Sequence, residues 1–523
     1  MGTKQKIYIP VKNKLILLAL IFANFMIVLD VSILPVALPT IQKLFHSSSE
    51  QLQWMVNSYL LTLTILVALS GKISDIFGHR KIFILSLVLF CVFSFLCAIS
   101  QNSFHLIISR FLQGIGAALM ISSITPLQID CFPKNQRGKI MGIIASGGSL
   151  GFAIGPFVGG ILTQYFSWQY IFLINVPISI IGIVIAFFAI PKSKKSYEKI
   201  DFKGTFSFMI AVSSITIALM QGKEWGWGSF STLFLFFFFI FFSIILYISD
   251  KKAKYPFIDF SLFKNKIFLC ALIAICVVSI VRMMTIFWVI YFQNVLDFSP
   301  TYSGTLLMIS AIPMLFISVY AGRFVDKYGP RSSILTGLVA LILSFLLIVC
   351  GLSIGNVVLL SISLFLLGIG LLFTLIASYN SGLSSISSNK RGIAGGVLNS
   401  FRNLSSSLGI AILGAIFLNA QFKIFSFSLK QNPDTKNFDP NIFEGLLSKS
   451  SKAIEAFTGV STSIQNEIVT ALKSSYTYGI NLSNLISAFL IAGVLFIILY
   501  FFKPKKKKEK INLKEISKDH IFD

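Results

Sequence analysis

The decapeptide GKISDIFGHR at 71–80 recurs as GRFVDKYGPR at 322–331, shifted by 251 residues. Each copy has a glycine, an aspartate four residues on, a second glycine and a closing arginine. NQRGKIMG at 135–142 returns as NKRGIAGG at 389–396, and GIG at 114–116 returns at 368–370, both shifted by 254. Three matches in the same order divide the chain into two related halves. What lies between the matches sets what kind of halves these are.

Those intervals are apolar. Of 523 residues, 55% are hydrophobic and 12% charged, Phe occurs 53 times, and the mean hydropathy is +0.83. Ordinary globular chains carry about 25% charged residues. Read at about 150 residues per domain, the length would give three or four soluble domains. A soluble fold with this composition would expose large apolar patches, whereas a bilayer supplies an apolar solvent. The same numbers exclude a disordered chain and a disulfide scaffold. The six cysteines show no CxxC spacing and mostly lie in apolar runs, and the four histidines show no metal-ligand spacing. The sequence therefore predicts an all-α integral membrane protein with no metal and no cofactor.

A spanning helix needs about 20 mostly apolar residues. That rule predicts fourteen spans, at 14–36, 52–74, 82–100, 104–127, 138–161, 170–190, 204–221, 231–249, 267–292, 303–324, 332–353, 357–379, 392–420 and 482–502. The repeat groups them into a cytoplasmic N-tail (1–13), a six-span bundle (14–191), two inserted spans with flanking loops (192–266), a second six-span bundle (267–502) and a basic tail (503–523). The first run carries Asp30 and lacks a small-residue cleavage site, so it reads as a retained span. An even count puts both termini on one side. Lys and Arg number 33 there, against 2 in the short loops opposite. Positive charge stays inside, so both termini are expected in the cytoplasm and the chain in the inner membrane. The net charge of +24 is then mainly a cytoplasmic asymmetry rather than a nucleic-acid footprint, and the tail KPKKKKEK (503–510) anchors the last span against anionic lipid. The long opposite-side segment, 421–479, carries helical spacing in PNIFEGLLSKSSKAIEAF and STSIQNEIVTALKSS, predicting a surface hairpin. It could cover the exit or meet a periplasmic adaptor; a solvated spacer fits equally.

Parallel repeats of this kind are typical of secondary transporters. The paired glycine–aspartate–glycine–basic loops resemble the signature between spans 2 and 3 of the major facilitator superfamily. RFLQGIGAA (110–118) resembles its span-4 motif, and GSLGFAIGPFVGG (148–160) its antiporter motif in span 5. LDVSILPVALPTI (29–41), SWQYIFLINVP (167–177), WGWGS (225–229) and YFQNVLDFSP (291–300) resemble the fourteen-span drug:proton antiporters. The resemblance covers about 14–502. It implies the major facilitator fold, two six-helix bundles plus two inserted helices, and export of small lipophilic or toxic compounds in exchange for protons. Export of one metabolite, such as a siderophore or other organic anion, is the alternative. No GxxxxGK[ST] pattern is present, so nothing points to ATP drive.

Asp30 is the one acidic residue well inside any span, about 24 Å along its helix at 1.5 Å per residue. An ionisable group there is a functional candidate by default, although a packing carboxylate fits too. In the resembled family an acidic residue at this place in span 1 is tied to coupling. Arg110 lies roughly 9 Å into span 4, at similar depth, so the two could pair. A permanent tie of Arg110 to backbone carbonyls is the bland alternative. With Arg282 and Arg402, the other cations inside spans, they are the expected residues of a substrate cavity. Three arginines against one aspartate favour an anionic or zwitterionic substrate.

Gly147, Gly151, Gly155 and Gly159 repeat every fourth residue beside Pro156, a face that lets a neighbouring helix approach closely. The resemblance adds a role in sealing the cavity against leak. Asp75, Arg80 and Asp130, with the repeat pair Asp326 and Arg331, are candidates for a gate; simple charge anchoring is the other reading. Ile76 and His79 stand where the family pattern has basic residues.

Overall fold

The computed structural model describes residues 11–133, 136–192, 202–252, 260–387, 391–431 and 461–502. Both expected tails, the loop 193–201 and PNIFEGLLSKSSKAIEAF (440–457) lie wholly or mostly outside them. Every regular element among the described residues is helical.

The first half comprises α1 (Val11–Phe45), α2 (Ser49–Phe77), α3 (His79–Ala98), α4 (Ser103–Cys131), α5 (Arg137–Ile161) and α6 (Asn175–Ala189). Next come α7 (Phe202–Trp225) and α8 (Phe230–Lys252). The second half holds α9 (Lys266–Arg282), α10 (Met284–Asn294), α11 (Pro300–Ile309), α12 (Ile312–Phe316) and α13 (Ser318–Tyr328). It closes with α14 (Pro330–Ile354), α15 (Val357–Ser384), α16 (Arg391–Gln431) and α17 (Thr462–Phe501). Among the described residues twelve helices are long and apolar enough to cross a membrane, or thirteen if the bent helix α2 counts as one.

That count differs from fourteen for a local reason. The stretch expected as span ten, 303–324, is broken into α11, α12 and α13. Pro313 sits at the start of α12, where its missing N–H costs nothing and its ring disfavours continuing the turn from Ile309. Elsewhere the helices outrun their apolar cores. STSIQNEIVTALKSS begins α17 rather than forming a hairpin arm, with Ser461 capping its N-terminus.

The repeat is visible in the backbone. Gly78 separates α2 from α3 at φ +95°, and Gly329 separates α13 from α14 at φ +85°. These are the second glycines of the two decapeptides, and left-handed backbone is where glycine has no steric penalty. Between helices in lipid there is little hydrophobic drive, so close packing and hydrogen bonds decide association. Ser344 and Ser363 each donate to the other's carbonyl, at 2.7 and 2.9 Å, tying α14 to α15.

The halves meet toward the Phe45 end of α1. Gln293 Nε2 donates to the Val36 carbonyl at 2.9 Å, and Asn294 Nδ2 to Gln42 at 3.2 Å. The Thr301 amide donates to Gln164 at 3.2 Å, and Ser407 to Asn57 at 2.6 Å. Gly160 of α5 lies against the Pro300–Thr301 backbone of α11. The described hydrogen bonds between halves all lie on this side. Toward the Val11 end, Met141, Ser146, Ser149 and Leu150 of α5 are exposed. Asn57 also donates to the Met220 sulfur at 2.8 Å, seating α7 beside α2 and α16.

Candidate functional site

Asp30 is fully buried in α1, and its carboxylate is ringed by donors from two other helices. Arg110 Nη1 of α4 donates to Oδ2 as a direct ion pair. Gln113 Nε2, one turn on from Arg110, donates to Oδ1 at 3.0 Å, and Asn175 Nδ2 of α6 reaches the same oxygen at 3.3 Å. Arg110 is fully buried too. Its Nε donates to the Met55 carbonyl at 3.1 Å, and Nη1 also to Gln113 Oε1 at 2.7 Å. The guanidinium carbon lies 4.3 Å from the Tyr59 ring centroid, while Nη2 finds no acceptor among the described residues. Gln113 reaches Ser94 of α3 at 2.9 Å. One carboxylate thus ties together α1, α4 and α6, and its network extends to α2 and α3.

Such a pair is expensive to break. Removing one partner leaves an uncompensated buried charge, which costs several kcal/mol.

The glycine face of α5 grips α1. A Cβ on Gly147 would come within 2.7 Å of Ile21, on Gly151 within 2.7 Å of the Phe25 carbonyl, and on Gly159 within 2.8 Å of Ile33. Gly155 meets Ser32 in the same way. Ser32 Oγ donates to the Gly151 carbonyl at 3.2 Å, and Asn24 to the Ile144 carbonyl at 2.9 Å. Pro156 points elsewhere, into a cavity between the halves.

That cavity is walled by Val31, Ser32, Pro35, Phe152 and Pro156 on one side and by Arg282, Met283, Thr285, Ile286 and Leu307 on the other. Arg282 lines it, with its guanidinium carbon 5.3 Å from the Phe152 ring centroid. Asp30 and Arg110 do not line it in this conformation. They turn into the first bundle, and the cavity begins at the next residue, Val31. Arg402 is half-buried on α16, close enough for its charge to act on Arg282, but is not part of the wall.

The gate candidates are only partly assembled. His79 Nε2 stands 3.9 Å from Asp75, and its Nδ1 meets Ser74 Oγ at 2.9 Å. Ser74 in turn contacts Ser123 of α4 at 3.2 Å. Arg80 donates to the Phe187 carbonyl near the end of α6, and Arg331 to the Leu499 carbonyl near the end of α17 at 2.7 Å. The two signature arginines therefore play matching parts in their own halves. Asp130 and Asp326 are exposed and form no ion pair among the described residues.

Gln113, Asn175, Tyr59 and Ser94 were not among the expected site residues. Gln113 and Asn175 fall inside RFLQGIGAA and SWQYIFLINVP. For Gln113 the usable signal was its spacing of three from Arg110, which puts both on one helical face.

Comparison with known proteins agrees with this architecture. The family described as Major Facilitator Superfamily matches residues 20–410. The chain is 30% identical over 411 residues to the riboflavin transporter RibZ of Clostridioides difficile, covering 78% of this chain and 89% of that one. It is 29% identical over 525 residues to the multidrug transporter protein MdtP of Bacillus subtilis, covering 95% and 94%. Among solved structures, a bacterial homolog of the human lysosomal transporter Spinster, inward-facing and occupied, superposes with a TM-score of 0.61 at 15% identity. That match covers 94% of this chain and 97% of the other.

Proposed function

Because the chain belongs to the Major Facilitator Superfamily, and is thus a multi-pass membrane transporter rather than an enzyme, we propose that it exports small, lipophilic or toxic compounds in exchange for protons. The two bundles rock about the cavity between them. Both termini lie on the cytoplasmic side of the inner membrane, the side carrying 33 basic residues, so the exposed Met141, Ser146, Ser149 and Leu150 of α5 face inward and mark the loading end. The broken helices α11 to α13 together make one crossing, which brings the spans to fourteen.

The observation that carries this reading is the position of α1. Its Asp30 is held by Arg110 inside the first bundle, while the adjoining Val31 and Ser32 form part of the cavity wall. A proton taken up at Asp30 removes the charge that anchors Arg110, and α1 relays the change to the wall one residue away. The driving force is a gradient, worth about 2.3 kcal/mol per charge per 100 mV. Arg80, Asp75 and Asp130, with Asp326 and Arg331 in the other half, then remake contacts as the cytoplasmic end closes. Relatives named as a multidrug transporter and a multidrug resistance protein support the choice of substrates.

A second reading, export of one defined metabolite, draws support from the relative named as a riboflavin transporter. The test for both is transport in proteoliposomes with a substrate panel, an imposed pH gradient, and Asp30→Asn alongside. Accumulation of several unrelated compounds that collapses in Asp30→Asn supports proton-coupled drug export; accumulation of one supports the metabolite reading. Undiminished uphill transport by Asp30→Asn would exclude Asp30 as the coupling residue.

A further inference from the structure

We propose that the cavity between the halves selects flat organic anions, with Arg282 as the group that binds the acid and Phe152 as the face that positions it. This deepens the transport reading and rests on it. The argument begins with the donors in the wall. Its three hydroxyls, on Ser32, Thr285 and Ser310, are each within hydrogen-bond reach of a backbone carbonyl three residues earlier in the chain. Ser32 donates to Leu29, Thr285 to Arg282 at 2.9 Å and Ser310 to Leu307 at 2.7 Å. Arg282 alone keeps its N–H groups free, since its side chain meets no acceptor among the described residues. A guanidinium presents five donors in a planar fork that matches a carboxylate or phosphate.

Among the described residues nothing neutralises it. No carboxylate lines the wall, and the one acidic side chain of α1 is bound to Arg110 in the bundle behind it. The main charge acting on Arg282 is that of another cation, Arg402. Two half-buried cations with no anion beside them among the described residues repel through a low-dielectric interior, and an anion bound at Arg282 offsets that repulsion. The rest of the wall is apolar: Val31, Pro35, Met283, Ile286 and Leu307 offer contact area but no charge. Phe152 already holds the guanidinium against its ring. A planar apolar body bearing one acid group matches the chemistry of this wall, whereas a cation would have to sit against Arg282.

The repeat supports the assignment. Shifts of 251 to 254 carry Asp30 to 281–284, a window that contains Arg282. The corresponding place thus holds opposite charges in the two halves, one enclosed within its bundle and one facing the cavity.

Equilibrium binding to the full-length protein in nanodiscs tests this with naphthoate, naphthamide and naphthylmethylamine, which share a ring system and differ in charge. We expect naphthoate to bind at least tenfold more tightly than the other two. Arg282→Gln should abolish that preference while leaving naphthamide binding unchanged, and Arg282→Lys should retain part of it. Phe152→Leu should weaken naphthoate and naphthamide alike. Equal binding of the three probes, preference for the amine, or no binding by any would overturn the proposal, as would an unchanged preference in Arg282→Gln with a native melting temperature. Transport of the drug panel is measured separately. A protein that exports cations by proton exchange but ignores naphthoate refutes the anion site alone, and one that binds naphthoate yet moves nothing refutes the exporter.

Discussion

The Arg110 guanidinium meets the Asp30 carboxylate between α1 and α4 with neither side chain reaching the surface. Breaking such a pair from one side strands a charge, so Asp30→Asn and Arg110→Gln should each destabilise the protein by about 3–5 kcal/mol. The double variant should lose clearly less than the sum. Thermal melting of the purified proteins reads the cycle, and simple additivity would show that the two residues do not act as a pair.

The glycines of α5 divide by what their added methyl would meet. Gly151→Ala drives a methyl into the Phe25 carbonyl of α1 and should cost about 1–3 kcal/mol through overpacking. Gly142→Ala, in the same helix but with nothing within 4 Å, should be neutral or stabilise by up to about 1 kcal/mol through helix propensity. Melting temperatures moving in opposite directions confirm that α5 grips α1 along one face; equal losses would refute it.

Arg80 and Arg331 each donate to a carbonyl two residues before the end of a helix, Phe187 in α6 and Leu499 in α17. Arg80→Gln and Arg331→Gln should therefore lower stability by similar amounts, on the order of 1–2 kcal/mol. Asp326→Asn, an exposed aspartate with no ion pair among the described residues, should leave melting unchanged. A large loss there would mean that the second signature loop is held by its acid rather than its base.

Ser149 lies three residues before Phe152 and seven before Pro156, hence on the helical stripe that faces the cavity, and it is exposed. In a cysteine-free background, Ser149→Cys should react with a membrane-impermeant maleimide from the side of the termini. The pair Val36→Cys with Gln293→Cys should crosslink, because Gln293 donates to the Val36 carbonyl. Labelling from the opposite side would reverse the assigned orientation.

The sequence made depth and spacing legible, since both follow from 1.5 Å per residue and 3.6 residues per turn. Asp30 and Arg110 could thus be placed at one level, and the four-residue glycine rhythm of α5 could be read as a contact face. Rotation about the helix axis was not legible. Asp30 turns into its own bundle while Val31 borders the cavity, and no count of residues distinguishes those outcomes. Backbone acceptors were equally hidden: the carbonyls of Phe187 and Leu499 that hold the signature arginines have no residue type to announce them. Hydropathy also located helices by their apolar centres, so it missed the polar first turns of α17 and did not foresee the breaks that divide 300–328.

The four hydrogen bonds described between the halves join amides, a hydroxyl and backbone groups, through Gln293, Asn294, Thr301 and Ser407. None joins a cation to an anion. Counter-ions have nothing to screen in these bonds, and protons have nothing to titrate. Salt or acid on their side of the membrane would leave these four clasps as they are.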